Sequence, residues 1–137
     1  MGLYIRIPGM KDTYDCGYIT FGLFRMRLAD AYNEEMGSLY RKWYNSGFPF
    51  NPGLTDEEIK RYNELCNSDL DLFLFHSDCD GKLTPKECKK IYKAIKDLKM
   101  DMMMGHNYGD MKPYNMLERF KMMFLHCWKF RVNMYFE

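Results

Sequence analysis

Arg131-Val132-Asn133-Met134-Tyr135-Phe136 decides the fold class: Val132, Met134 and Phe136 alternate with Asn133 and Tyr135, the two-residue period of a half-buried strand. A matching pattern stands at the other end of the chain, where Leu3, Ile5 and Ile7 alternate with Tyr4 and Arg6 before Pro8-Gly9 stops the run. Between these ends the apolar period is helical. The expected fold is a helix-rich α+β single domain over residues 1–137, with about four helices and a small sheet that pairs the N- and C-terminal strands.

Working inward, Phe21, Phe24, Leu28, Ala31, Tyr32, Leu39, Tyr40 and Trp43 recur at steps of three or four, with Arg25, Arg27, Asp30, Glu34, Glu35, Arg41 and Lys42 mostly between them. This predicts one dominant helix from Thr20 to before Asn45, since Phe48-Pro49-Phe50-Asn51-Pro52-Gly53 excludes helix. Thr55-Asp56-Glu57-Glu58 and Thr84-Pro85-Lys86-Glu87 each spell a capping box and open two further helices. The stretches around them read as a faint internal repeat that capping chemistry alone can produce. Asp69 to Phe75 fits either a buried strand or the last turns of a helix. Pro113 can open a fourth helix, along which Leu117, Phe120, Phe124 and Cys127 form a stripe.

The 137 residues carry 20 basic and 19 acidic side chains, a net charge of +1 with no long-range field to hold a nucleic-acid backbone, so nonspecific nucleic-acid binding is disfavoured. No apolar run reaches membrane length and the first residues do not read as a signal peptide; a soluble, cytoplasmic chain is expected. Five scattered cysteines fit free thiols in a reducing compartment.

The segment His76-Ser77-Asp78-Cys79-Asp80-Gly81-Lys82-Leu83-Thr84-Pro85-Lys86-Glu87 resembles the calcium loop of EF-hand proteins. The resemblance covers 76–95. It implies oxygen ligands from Asp78 and Asp80, a sharp turn at Gly81, the backbone carbonyl of Lys82 and a bidentate Glu87, with weak Ca2+ as the cofactor. His76 departs from the pattern, standing where the first carboxylate belongs, and imidazole suits a hard cation poorly. Asp and Gly in a turn that feeds a capped helix explain the same residues without metal. His76 and Cys79, joined in space by Cys88, His106, His126 or Cys127, spell a softer metal site, and Cys79 with His76 or His106 as its base spells a thiol enzyme, but no nucleophile elbow, phosphate loop or dinucleotide fingerprint occurs, and no catalytic residue is assigned.

Recognition chemistry concentrates in two loops. His106, Asn107, Tyr108, Lys112, Tyr114 and Asn115 put cationic, amide and aromatic groups between Gly105, Gly109 and Pro113, with Tyr14 and Tyr18 expected beside them. Eight of the thirteen methionines lie from Met100 to Met123, and the run Met102-Met103-Met104 cannot face one core throughout. The reading is a small non-enzymatic binding protein that sequesters a small-molecule ligand or inhibits a protein partner, with a homo-oligomer compatible. Its compositional style resembles the accessory, anti-defence proteins of phages and mobile elements. An EF-hand-like calcium protein and a small thiol or metal enzyme are the alternatives.

Overall fold

The computed structural model describes residues 2–11, 13–47, 53–105 and 113–137. Strand β1 (Leu3–Arg6) pairs antiparallel with β2 (Tyr14–Cys16) on one side and with β6 (Met134–Phe136) on the other, in the register Ile5 to Phe136. A two-residue strand, β3 (Lys82–Leu83), completes the order β2-β1-β6-β3 by pairing with β6. The two ends of the chain therefore meet as their alternation requires. Leu3, Ile5, Met134 and Phe136 turn into the core, while Tyr4 and Arg6 face out.

Six α-helices stand among the described residues, where the periodicity predicts about four: α1 (Tyr18–Tyr32), α2 (Glu34–Tyr44), α3 (Asp56–Leu65), α4 (Ser68–Leu74), α5 (Pro85–Ile95) and α6 (Met116–Phe130). The single long helix breaks in two at Asn33. This residue is extended, at φ −161° and ψ 121°, and its side chain accepts from the Met36 N–H at 2.9 Å, so it caps α2 just ahead of Glu34 and Glu35. The apolar stripe continues across the break, which hides it from periodicity. Gly37 lets α2 fold back on α1, because a Cβ there would stand 2.7 Å from the Asp30 backbone.

Residues 69–75 resolve as helix α4 and its C-terminal cap, started by the Asn67 side chain, which accepts from the Asp69 and Leu70 N–H groups. Pro113 does not open α6. The side chain of Asn115 caps that helix through the Glu118 N–H, and Tyr114–Asn115 (β5) pairs with Met103–Met104 (β4). Of the methionine run, Met102 is buried and Met103 is 52% exposed.

Both Thr-x-x-Glu boxes form. Thr55 and Thr84 each accept from the N–H three residues on, and Glu58 and Glu87 each reach back to the capping N–H. In each, the residue before the cap and the fourth helical residue, Leu54 with Ile59 and Leu83 with Cys88, occupy the places of a hydrophobic staple. Thr84→Ala should cost about 1 kcal/mol, read as a lower denaturant midpoint at unchanged slope. An unaltered midpoint would mean that the box does not stabilise α5.

The core is aromatic. Phe21, Phe24, Phe73, Phe120, Phe124 and Phe136 are all buried between the helices and the sheet. No helix among the described residues is long and apolar enough to cross a membrane.

Candidate functional site

Three helices leave a groove of about 350 Å³ between them, lined chiefly by apolar and aromatic groups. The i, i+3 step on α2 places Tyr40 and Trp43 on one wall, and the same step on α3 places Ile59 and Tyr62 on the opposite one. Asp71 and Phe75, four apart across α4 and its cap, close the end. Leu54 joins Ile59 as the staple of α3, so the cap that starts the helix also builds the groove.

Phe75 is the hub. Its ring lies 4.6 Å from Trp43, 5.5 Å from Tyr40 and 5.9 Å from Tyr62, edge-on in each case. Tyr40 is buried and donates its hydroxyl to the Leu74 carbonyl at 2.7 Å; burial pushes its pKa up to about 12. At the rim, Trp43, Ile59 and Phe75 remain 41%, 46% and 44% exposed, three large apolar groups around one opening.

Asp71 is the charged member of the lining. Burial raises its carboxyl above the usual range, and hydrogen bonds from the Tyr62 hydroxyl, at 2.8 Å, and from Cys66 pull the other way. The net direction is upward, so the ionised form is under-solvated in an aromatic setting. A cationic or N–H donor group entering the groove would relieve that cost.

The residues singled out by sequence fall in three groups. His106, Asn107, Tyr108 and Lys112 lie outside the described residues. Tyr14 and Tyr114 do come together: the Tyr114 hydroxyl donates to that of Tyr14 at 3.2 Å, with the rings edge-on at 6.1 Å. Tyr14 is buried against Phe120, and burial, helped by that hydrogen bond, drives its pKa far upward. Tyr18 starts α1 half-buried against the core, while Asn115 spends both ends of its amide on backbone, donating to the Met100 carbonyl at 2.7 Å as it caps α6.

The third group is the EF-hand-like loop, which the structure places between α4 and α5, with Gly81 at φ +86° and β3 at the seventh and eighth places. His76 spans it. Its Nδ1 lies 2.8 Å from the Ser77 carbonyl oxygen and its Nε2 3.1 Å from that of Lys82, the carbonyl the resemblance offers to a cation. The ring also packs on Phe136 at 4.2 Å. Glu87 gives an oxygen to the Thr84 N–H, and Asp78 and Asp80 make no side-chain bond to the loop. Among the described residues no group of three His, Cys, Asp or Glu side chains is gathered to hold a metal ion. Cys88 and Cys127 do meet, buried between α5 and α6, where their mutual hydrogen bond and burial push the Cys88 thiol up. His126 instead stacks on Phe130 at 4.5 Å.

The groove is the feature that sequence reading missed. Tyr40 and Trp43 were legible as an apolar stripe and Phe75 as the end of an apolar run, with Leu54 and Ile59 as a staple the one local hint that α3 presents apolar groups near its start. No family model, no curated protein and no solved structure matches the chain.

Proposed function

We propose that the protein is a non-enzymatic binding protein that sequesters or inhibits a protein partner, whose anchor is an apolar or aromatic side chain with a cationic or N–H tip. The observation that carries this is the groove itself: Trp43, Ile59 and Phe75 stay exposed around one opening above a half-buried carboxylate. Folding alone would favour burying those three groups and removing that charge. An inhibitory role of the kind expected of phage or mobile-element accessory proteins fits such a surface.

The test is recovery of the tagged full chain from the cells that make it, followed by native mass measurement, with Ile59→Ser alongside. Ile59 is exposed, so the variant should fold. A stoichiometric partner on the wild type and at least tenfold less on Ile59→Ser supports the groove. The same partner on both overturns it, and loss on Tyr108→Ala or Lys112→Ala instead moves the site to the 105–115 loop.

Asp71 provides a stability signature of the same site. Its folded pKa lies above the unfolded one, so its charge costs stability at pH 7, and the cost disappears as pH falls below the ordinary carboxylate range of about 4. Asp71→Asn, which can still accept from Tyr62, should raise the urea midpoint at pH 7 with a gain that shrinks toward acid, while weakening partner capture. A lower midpoint at pH 7 would show that the carboxylate stabilises the fold.

A second reading, weak calcium binding at 76–87, draws on the helix-loop-helix arrangement and on Gly81 at the turn. Affinity should be about 10⁻⁴ M or poorer, and His76→Asp should tighten it. Titration calorimetry showing no heat for either chain at millimolar calcium would remove this reading.

A further inference from the structure

We infer that the face made by α5 and the C-terminal half of α6 binds single-stranded nucleic acid, through lysine contacts to its phosphates and stacking of its bases. This surface is separate from the aromatic groove and does not depend on it. The α5 sequence repeats lysine at helical steps, and Cys88, Ile91 and Ile95 bury the opposite side, so Lys86, Lys90, Lys93 and, at the C-cap, Lys96 stand in solvent about one turn apart. α6 packs alongside and contributes Trp128 and Lys129.

Tertiary structure gathers three ammonium groups around one indole. Lys129, Lys89 and Lys93 place Nζ 4.1, 5.3 and 5.7 Å from the centre of the Trp128 ring, and Tyr92 lies 6.0 Å from it. Six salt bridges join described residues, one of them Lys121–Glu118 beside Tyr92 and Lys96, yet none of the six lysines named here has a carboxylate partner among those residues. Like charges held together without a counter-charge leave an anion as the missing component. Residues 85–99 with 129–131 hold eight of the twenty cations and two of the nineteen carboxylates, so the near-neutral chain divides into a basic face and an acidic remainder.

Three features select a single nucleic-acid strand among anions. The cations of α5 are all lysine, which binds phosphate as a point charge without arginine's bidentate fork, whereas protein interfaces are poor in lysine. The half-buried rings of Trp128 and Tyr92 lie among the ammoniums, the combination on which unpaired bases stack. Beyond Tyr92 a groove of about 430 Å³, lined by Lys96, Met122 and Leu125 and by the Lys121–Glu118 ion pair, offers apolar space that a splayed base can enter and a duplex cannot. The expectation against nucleic acid averages charge over the whole chain. With a net charge of +1, this binding should be short-range and salt-sensitive rather than steered from afar.

The test is fluorescence anisotropy of an end-labelled oligothymidine of about 15 nucleotides, titrated with the full chain. Saturable binding at 50 mM salt is expected, with log affinity falling against log salt at a slope of about −2 to −3 for three or four phosphates. A paired duplex and an abasic strand of equal length should each bind at least tenfold more weakly, since neither offers free bases. Trp128→Ala should lose tenfold or more. The exposed double change Lys93→Gln with Lys129→Gln, which leaves the core untouched, should weaken binding and reduce the slope. Absence of binding at 100 μM protein overturns the inference, as does equal binding of the abasic strand. Equal competition by polyglutamate, or capture by phosphatidylserine vesicles without capture of the oligonucleotide, reassigns the face to an acidic protein or to a membrane and overturns it too.

Discussion

Phe120→Ala is expected to remove about 4 kcal/mol of unfolding free energy, among the largest effects available to a single side chain in this molecule. The ring is fully buried on α6. It stacks on Phe24 at 4.8 Å and meets Tyr14 and Phe73 at 5.4 Å, with Phe21 and Phe124 at 6.0 Å. Those neighbours come from a strand, from α1, from α4 and from α6 itself, so no one element can shift to fill the cavity left behind. Removing the ring forfeits its own transfer from water and its contacts with five rings, stacked on Phe24, edge-on to Tyr14 and tilted against Phe21, Phe73 and Phe124. Denaturant unfolding of the two chains measures the difference. A loss below about 2 kcal/mol would show that the aromatic cluster closes over the gap, against the packing described.

Arg25→Ala is expected to cost about 3 kcal/mol, although arginine is a residue that ordinarily lies at the surface. Arg25 is 6% exposed, and its Nη1 donates to the carbonyls of His76 at 2.6 Å, Leu74 at 3.1 Å and Phe73 at 3.4 Å. Phe73 and Leu74 end α4 and His76 follows its cap; the Phe73 carbonyl also accepts from the His76 N–H and that of Leu74 from the Tyr40 hydroxyl, and Arg25 joins all three. A cation there also meets the negative end of the helix dipole, and the guanidinium lies 4.6 Å over the Phe21 ring. Truncation takes the charged donor from all three carbonyls, leaving Leu74 with Tyr40 and Phe73 with the His76 N–H, and empties the space the side chain filled. The same bonds fix where α4 stops, and hence where Phe75 and the loop after it begin. Arg25→Ala should therefore lower the denaturant midpoint and reduce partner capture by the groove together. A variant that unfolds like the wild type would show that water or Tyr40, whose hydroxyl already donates to Leu74, takes over the end of α4.

The alternation of Leu3, Ile5 and Ile7 and of Val132, Met134 and Phe136 is set by strand geometry, and its antiparallel pairing emerged with Ile5 opposite Phe136. The Thr55 and Thr84 boxes depend on atoms three residues apart, and both formed. The break at Asn33 was not legible, because an asparagine cap and two glutamates interrupt the backbone without interrupting the apolar stripe around them. Arg25 read as part of the polar face of its helix. Its partners lie about fifty positions away, and nothing in its neighbours announces a buried guanidinium.

The candidate surfaces show the same division. By itself the sequence determined the α+β class, the two capped helices, the Gly81 turn and the lysine-rich character of α5, since propensity, capping and period act over a few residues. Only tertiary structure decided that Trp43, Ile59, Asp71 and Phe75 share one groove, and that Lys129 joins Lys89 and Lys93 around Trp128. Those meetings depend on how α2 folds back at Gly37, where Arg25 ends α4 and how α6 lies along α5. Each is a contact between segments distant in the chain, made because the aromatic core must close. No local pattern encodes the spatial coincidence that results.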